Sequence, residues 1–265
     1  MTTEDKNIIL NVENLSVGYK TKKKTNTILS TINFNLEKGK LIALLGKNGA
    51  GKSSLLRILS KVQKPLTGDV FINHVNIENY TQNELAKILS IVLTERLPKS
   101  QLTVFEIVAL GRQPYTNWLD RLSPSDLEKI ENAFELTHIS HLKDKPFYQL
   151  SDGQLQRVLI ARALAQDSEI IILDEPTAHL DIHHTYKVFS LLENLVKTTQ
   201  KTIIISTHEV NLAIQLADDF LLLTEDELFH GNAETLIAKD AFSKLFPKDS
   251  ISFNKKLQQF VINKK

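Results

Sequence analysis

Residues 40–62 read KLIALLGKNGAGKSSLLRILSKV and predict a strand, a loop and a helix in direct succession. The segment KLIALL is nearly all apolar, which is typical of a strand covered on both faces. After Lys52, leucines recur at helical spacing. Between them, GKNGAGKS (46–53) fits the pattern G-x-x-x-x-G-K-[ST] in the context that this pattern requires. We therefore predict a phosphate-binding P-loop.

Each part of this loop has a physical purpose. Glycines let backbone N–H groups curl around phosphate oxygens, and the N-terminus of the following helix adds a positive dipole. Lys52 places a cation beside the phosphates, and the Ser53 hydroxyl is offered to Mg²⁺. The stretch thus predicts binding of a nucleotide together with magnesium.

A second stretch, IIILDE (170–175), supplies the carboxylates that such a loop needs. Four apolar residues predict a buried strand, which ends in Asp174 and is followed by Glu175. A carboxylate at this place holds Mg²⁺ through water, and the next one can act as a general base towards an attacking water. We assign these two roles to Asp174 and Glu175.

The rest of the chain alternates predicted strands with helices, which favours an α/β fold with a mainly parallel sheet. Two alternating stretches near the N-terminus, ILNVENLSV and TINFNL, predict additional antiparallel strands. The predicted fold class is a RecA-like P-loop NTPase core with an inserted α-helical subdomain. We place the core at 1–95 and 151–235, the insertion at 96–150 and a tail of unknown role at 236–265.

Composition narrows the function further. With 42% hydrophobic and 24% charged residues the chain is typical of a soluble globular protein, and its net charge of +1 argues against a nucleic-acid partner. The absence of cysteine excludes disulfides and thiolate metal sites. The first ten residues contain Glu4 and Asp5 and do not resemble a signal peptide. No apolar run approaches the ~20 residues needed to span a bilayer, so any membrane subunit is expected to be a separate chain.

Five motifs in order, together with one aromatic residue, resemble the ATP-binding subunits of ABC transporters, over roughly residues 7–235. LSDGQ (150–154) is similar to the family's signature loop, and AHLD (178–181) to its D-loop. STHEV puts His208 at the switch-histidine position, and Tyr19 matches the aromatic residue that stacks on adenine. The P-loop and the Asp-Glu strand complete the set.

The resemblance implies an ATPase with a role for each matched residue. Glu175, His208 and Lys52 would be catalytic, with His208 on the γ-phosphate, and Asp181 would be the D-loop carboxylate. Mg²⁺ would be held by Ser53 and Asp174. ATP would contact Tyr19, Gly46, Asn48, Gly49, Ala50, Gly51, Lys52, Ser53 and Ser54 of one copy. A second copy, packed head to tail, would complete the same site with Ser151, Asp152, Gly153 and Gln154.

Two positions depart from the family pattern. The expected Q-loop glutamine is replaced by Thr94-Glu95, and either the Thr94 hydroxyl or the Glu95 carboxylate could join the metal shell. Asp152 replaces the first signature glycine. A carboxylate 4 Å from the γ-phosphate would repel it by about 4 kcal/mol at an effective dielectric of 20. We therefore expect the Asp152 side chain to turn aside, where an acid in a first helical turn favours the helix dipole.

The sequence TVFEIVALGRQPY (103–115) resembles cassettes of iron–siderophore, haem and cobalamin importers. In that group a Gly-Arg-x-Pro stretch, matched here by Gly111, Arg112 and Pro114, lies near the groove for the permease. This implies an import ATPase on the cytoplasmic face of the inner membrane, bound to integral membrane permease subunits and served by a substrate-binding protein.

Alternative functions are a soluble ABC ATPase acting on ribosomes or DNA, and a P-loop kinase. Ribosomal members usually carry two cassettes, DNA-repair members carry a long coiled coil, and a kinase would leave the signature motif unexplained. Two histidine pairs, His179 with His183 and His138 with His141, have metal-ligand spacing, but no carboxylate motif completes a site. We interpret them as surface histidines, and Trp118 as a packing residue.

Overall fold

The computed structural model describes residues 7–20, 24–93, 101–116, 121–224, 227–246 and 251–263. The chain divides into two compact units, residues 1–79 with 202–265 and residues 80–201. The strands are β1 Ile8–Lys20, β2 Thr25–Glu37, β3 Leu41–Gly46, β4 Thr67–Ile72, β5 Val75–Asn76, β6 Leu89–Val92, β7 Ile170–Asp174, β8 Thr202–Ser206, β9 Asp219–Leu223, β10 Leu228–Gly231, β11 Ile251–Asn254 and β12 Gln259–Ile262. The α-helices are α1 Lys52–Leu59, α2 Gln82–Ile88, α3 Val104–Ala109, α4 Pro124–Leu136, α5 Asp152–Ala165, α6 Ile182–Thr199, α7 Val210–Leu216 and α8 Ala233–Ala238.

The first unit contains an antiparallel sheet and a mainly parallel one. Strand β1 pairs antiparallel with β2 and β4, which confirms the two N-terminal strands expected from their alternating pattern. Strand β3 runs parallel to β8 on one side and β9 on the other, and β10 adds an antiparallel edge to β9. Every residue of β3, β8 and β9 is buried, as expected for strands covered on both faces.

The C-terminal segment of the first unit is held by aromatic packing. Strands β11 and β12 form an antiparallel hairpin. The ring of Phe253 stacks on Phe242 with centroids 5.0 Å apart, and Phe260 contacts Phe246 at 5.1 Å. Asn211 on α7 bonds both backbone groups of Phe260, at 2.7 and 3.2 Å. The sequence predicts no role for this tail, and in the structure the Asn211 bonds attach its hairpin to α7.

The second unit combines a parallel strand pair with a helical cluster. Strand β6 runs parallel to β7, and helices α3 and α4 both pack on α5. Ser123 is the N-cap of α4, and Pro124 is the first residue of this helix. Capping boxes also begin α2, α3 and α5, so polar side chains fix where these helices start. The predicted boundaries at 95, 150 and 235 stay predictions.

Candidate nucleotide-binding site

The P-loop joins the buried end of β3 to the start of α1. Gly51 is the N-cap of α1 at φ 98°, and Gly49 has φ 80°, a region that favours glycine. A Cβ on Gly51 would also lie 2.9 Å from a side-chain carbon of Ile28. The first turn of α1 contains no acidic residue, so its N–H groups and dipole present a positive end to an anion.

Lys52 is buried at this loop and hydrogen-bonded to its backbone. The side chain is only 5% exposed, and its Nζ donates to the carbonyl oxygens of Gly46 at 3.0 Å and Lys47 at 3.3 Å. A buried ammonium needs such partners, because desolvation of an unpaired charge is costly. Ser53 follows directly and is partly buried. The structure therefore places a cation and a hydroxyl at the first two positions of α1.

Tyr19 lies near the end of β1 and is 47% exposed. Its hydroxyl forms a hydrogen bond with the Ser54 hydroxyl in the first turn of α1. The ring thus keeps a free aromatic surface while its polar end is fixed to the helix that follows the P-loop. The predicted contacts Tyr19 and Ser54, which are 35 residues apart, are brought together here.

His208 belongs to the same unit and follows β8. Because β8 runs parallel to β3, with Ser206 opposite Leu44, the chain leaves both strands at the same edge of the sheet. The Thr207 amide donates to the Leu44 carbonyl at 3.3 Å, and the Thr207 hydroxyl accepts from the Glu209 amide at 3.0 Å. These bonds fix the backbone on both sides of His208, whose side chain is exposed.

In the second unit, Asp174 ends β7 and is 4% exposed, and Glu175 follows directly. Glu175 has φ 49°, a left-handed conformation that is uncommon outside glycine. Its carbonyl accepts from the Ala178 amide at 3.0 Å, which closes a turn. Two carboxylates of different exposure therefore stand together at the carboxyl end of this strand.

The signature residues form the start of α5. Ser151 is the N-cap and accepts from the Gln154 amide at 3.4 Å, while Gln154 Oε1 accepts from the Ser151 amide at 3.2 Å. Asp152 is the first residue of the helix and is exposed. The carboxylate at the helix start is thus explained by the favourable end of the dipole. Whether it turns away from a nucleotide in a dimer stays a prediction.

Gly153 faces a residue that the sequence analysis did not single out, His184. A Cβ on Gly153 would lie 2.8 Å from His184 Cδ2. Asp181 is the N-cap of α6, accepts from the His184 amide at 2.8 Å and contacts His184 Nδ1 at 2.9 Å. The backbone and side-chain bonds from His184 lower the pKa of Asp181. The signal was the three-residue spacing of Asp181 and His184, which is that of an N-cap and its third helical residue.

The Gly-Arg-x-Pro stretch makes buried contacts with other parts of the second unit. Arg112 and Asp126 are both 5% exposed, and their Nε to Oδ1 distance is 2.8 Å. Arg112 also donates to the carbonyl of Ala165 at 2.7 Å and lies over the Tyr115 ring. A Cβ on Gly111 would lie 2.3 Å from the Arg162 carbonyl oxygen. Packing therefore accounts for Gly111 and Arg112, and the permease groove stays a prediction.

Three predicted positions, Thr94, Glu95 and Trp118, lie outside the described residues. Among the helices that the structure describes, none is both long and apolar enough to cross a membrane. In the same parts of the chain, no group of three or more His, Cys, Asp or Glu side chains could hold a metal ion.

Mg²⁺ nevertheless fits the residues present. Asp174 is a buried carboxylate and Ser53 a partly buried hydroxyl, and oxygen ligands are those that Mg²⁺ prefers. Mg²⁺ usually takes one or two protein ligands and fills its shell with phosphate oxygens and water.

Comparison with known proteins defines the class. A sequence model of the family described as ABC transporter matches residues 29–178. The chain is 33% identical over 242 residues to the iron(3+)-hydroxamate import ATP-binding protein of Bacillus subtilis (strain 168), which covers 91% of this chain and 88% of the relative. The chain therefore belongs to the ABC transporter family of ATP-binding proteins and is an ABC-type ATPase.

Two solved structures extend the comparison. A metal-chelate type ABC transporter in an inward-facing conformation has a TM-score of 0.78 at 29% identity and covers 96% of both chains. A dimeric ATP-binding cassette with bound ADP and Pi has a TM-score of 0.72 at 28% identity, covering 84% of this chain and 98% of the other. The predicted class, a P-loop NTPase with antiparallel N-terminal strands and a helical subdomain, is confirmed.

Proposed function

We propose that this chain is the ATP-hydrolysing subunit of an importer for iron–siderophore complexes or related metal chelates. The relationship to an iron(3+)-hydroxamate import subunit over 91% of the chain carries the proposal. The structural likeness to a metal-chelate transporter supports the same class of cargo. No comparison supports the alternative of a soluble ATPase acting on ribosomes or DNA.

The chemistry follows from the polar groups described above. The Lys52 ammonium and the loop amides neutralise charge on the β- and γ-phosphates, and His208 binds the γ-phosphate. Glu175 accepts a proton as the water oxygen bonds to the γ-phosphorus and the bond to the β-phosphate oxygen breaks. Ser53 and Asp174 would hold Mg²⁺, which would supply positive charge against the phosphates. Catalysis then consists mainly of positioning and electrostatic stabilisation.

The assembly follows from the family. A second copy, packed head to tail, contributes Ser151 and Gln154 to the ATP site, and closure excludes water from it. Permease subunits hold the dimer on the cytoplasmic face of the inner membrane, and a substrate-binding protein delivers the chelate. No nucleic acid takes part in this cycle.

Transport measurements test the proposal. A strain lacking this chain should lose uptake of radiolabelled ferric hydroxamate, and the wild-type chain should restore it. Glu175→Gln should be expressed equally but fail to restore uptake, which ties transport to hydrolysis. Unchanged uptake of ferric hydroxamate, ferric catecholate, haem and cobalamin in the deletion strain would refute the assigned class of cargo. Co-sedimentation of the chain with ribosomes rather than membranes would favour the alternative.

A further inference from the structure

A pocket of about 250 Å³ lies on the second unit, apart from every residue assigned to ATP. We call it the basic groove. It is lined by His138, Arg157, Tyr186, Lys187, Ser190, Leu191 and Asn194. His138 follows α4, Arg157 lies on α5, and the others lie on α6. Tyr186, Ser190 and Asn194 are spaced four apart, which puts them on one helix face.

The polar groups of the groove are cationic or neutral. Its lining includes a guanidinium, an ammonium, an imidazole, a phenol, a hydroxyl and an amide, and none of the seven residues is acidic. Within the described parts of the chain, these six polar side chains make no hydrogen bond or ion pair. Leu191, 8% exposed, supplies an apolar floor. The groove therefore offers several donors and a concentrated positive charge.

We expect Arg157 to contribute most to the binding of an anion, because its side chain is partly buried whereas that of Lys187 is exposed. Charges that are partly buried are screened less by salt than exposed ones. A guanidinium also binds two oxygens of a tetrahedral oxyanion at once, in a planar fork that lysine lacks. An anion with several oxygens is thus the ligand that best matches the groove.

The groove measures about 250 Å³, which leaves room for a single tetrahedral anion. A phosphate at neutral pH carries about −1.5 to −2 charges and three or more acceptor oxygens. We propose that the basic groove binds one phosphate dianion, either inorganic phosphate or a phosphate ester.

Such an anion would join two helices with different functions. Arg157 lies three residues beyond Gln154 on α5, and α6 begins directly after the N-cap Asp181. A phosphate held by Arg157 and Lys187 therefore links the helix of the signature loop to that of the D-loop. This goes beyond the proposed function, because none of the lining residues belongs to the assigned ATP site.

Phosphate titration of the full-length chain tests the proposal independently of ATPase activity. Lys52→Ala serves as the background, since it weakens phosphate binding at the P-loop. Inorganic phosphate and glycerol 3-phosphate are titrated separately by calorimetry at constant ionic strength. The imidazole NMR signals are followed in the same titrations, and the His138 signal is identified as the one missing from His138→Gln. We expect saturable binding that shifts the His138 signal. Tighter binding of the inorganic ion indicates free phosphate, and tighter binding of glycerol 3-phosphate indicates an ester.

Substitutions in the groove decide whether this binding is local. Arg157→Gln should weaken it about tenfold or more, as expected for loss of one charge-assisted contact, and Lys187→Gln should weaken it severalfold. Lys197→Gln is the matched control, because Lys197 is exposed on the same helix outside the groove. Equal weakening by Lys187→Gln and Lys197→Gln, or no saturable binding of either compound, would overturn the proposal even if Arg157→Gln failed to fold.

Discussion

Gly153→Ala should impair ATP hydrolysis through a single contact, that with His184. The added Cβ would lie 2.8 Å from His184 Cδ2, whereas carbon atoms pack at about 3.5–4.0 Å. The two groups must therefore separate by at least roughly 0.7 Å. The imidazole cannot simply swing away, because its Nδ1 is held by the Asp181 carboxylate at 2.9 Å.

Two opposing terms set the effect on stability. Overpacking costs about 1–3 kcal/mol, while alanine in place of glycine in a helix gains roughly 0.5–1 kcal/mol. The net local cost is between about zero and 2.5 kcal/mol, so the protein should still fold. Misplacement of catalytic groups by about 1 Å costs about a hundredfold in rate. We therefore expect the turnover number to fall by about ten- to a hundredfold, with ATP affinity of the free chain little changed.

A second substitution shows whether the contact is responsible. His184→Ala removes the opposing ring, so Gly153→Ala with His184→Ala should recover most of the lost turnover. His183→Ala on the same background is the matched control and should give no recovery. Steady-state phosphate release measures turnover, and urea denaturation measures stability. The reasoning is refuted if Gly153→Ala hydrolyses ATP at the wild-type rate, or if both histidine variants restore activity equally.

Four further predictions concern single residues. Glu175→Gln should lower turnover by about 10²- to 10⁴-fold while ATP still binds; phosphate release and ATP titration measure this, and full activity would exclude Glu175 as the base. Asp152→Gly should leave phosphate release equal or higher and reduce the unfolding free energy by up to about 1 kcal/mol, whereas a large loss of activity would give Asp152 another role. Arg112→Met should cost about 3–5 kcal/mol in urea unfolding by leaving Asp126 buried and unpaired; a change below 1 kcal/mol would contradict the buried pair. Hydrogen bonds from Ser123, and then from Arg112, lower the pKa of Asp126. The ionised Asp126 therefore stabilises the folded protein above about pH 4, and this contribution is lost as the pH falls through the folded pKa. Asp126→Asn should reduce this acid dependence of the free energy of unfolding in urea.

The sequence was most informative where function depends on consecutive residues. An apolar run fixes β3, and the glycines and leucines that follow fix the P-loop and α1, so each part is encoded by neighbours along the chain. The same holds for β7 and Asp174. The parallel direction of neighbouring strands was also predictable, because alternating strands and helices favour parallel pairing.

Contacts between distant residues were not predictable in the same way. Gly153 meets His184 because the start of α5 lies against the first turn of α6, and the spacing of residues along the chain does not predict this contact. Arg112 pairs with Asp126 across a helix start, and only the structure explains why Gly111 must lack a Cβ there. The hairpin β11–β12 depends on aromatic side chains scattered from Phe242 to Phe260. In each case tertiary packing, and not local pattern, decides the role.

The bond between Tyr19 and Ser54 has a thermodynamic consequence for ligand choice. A purine that stacks on Tyr19 immobilises the residue whose hydroxyl is joined to the first turn of α1, and that turn also presents its amides to the phosphates. The adenosine and the triphosphate of one nucleotide would then contact parts of the chain that this bond connects. Binding of one part would reduce the conformational entropy that is lost when the other part binds. On the proposed nucleotide contacts, this connection would favour a complete nucleotide over its separate fragments.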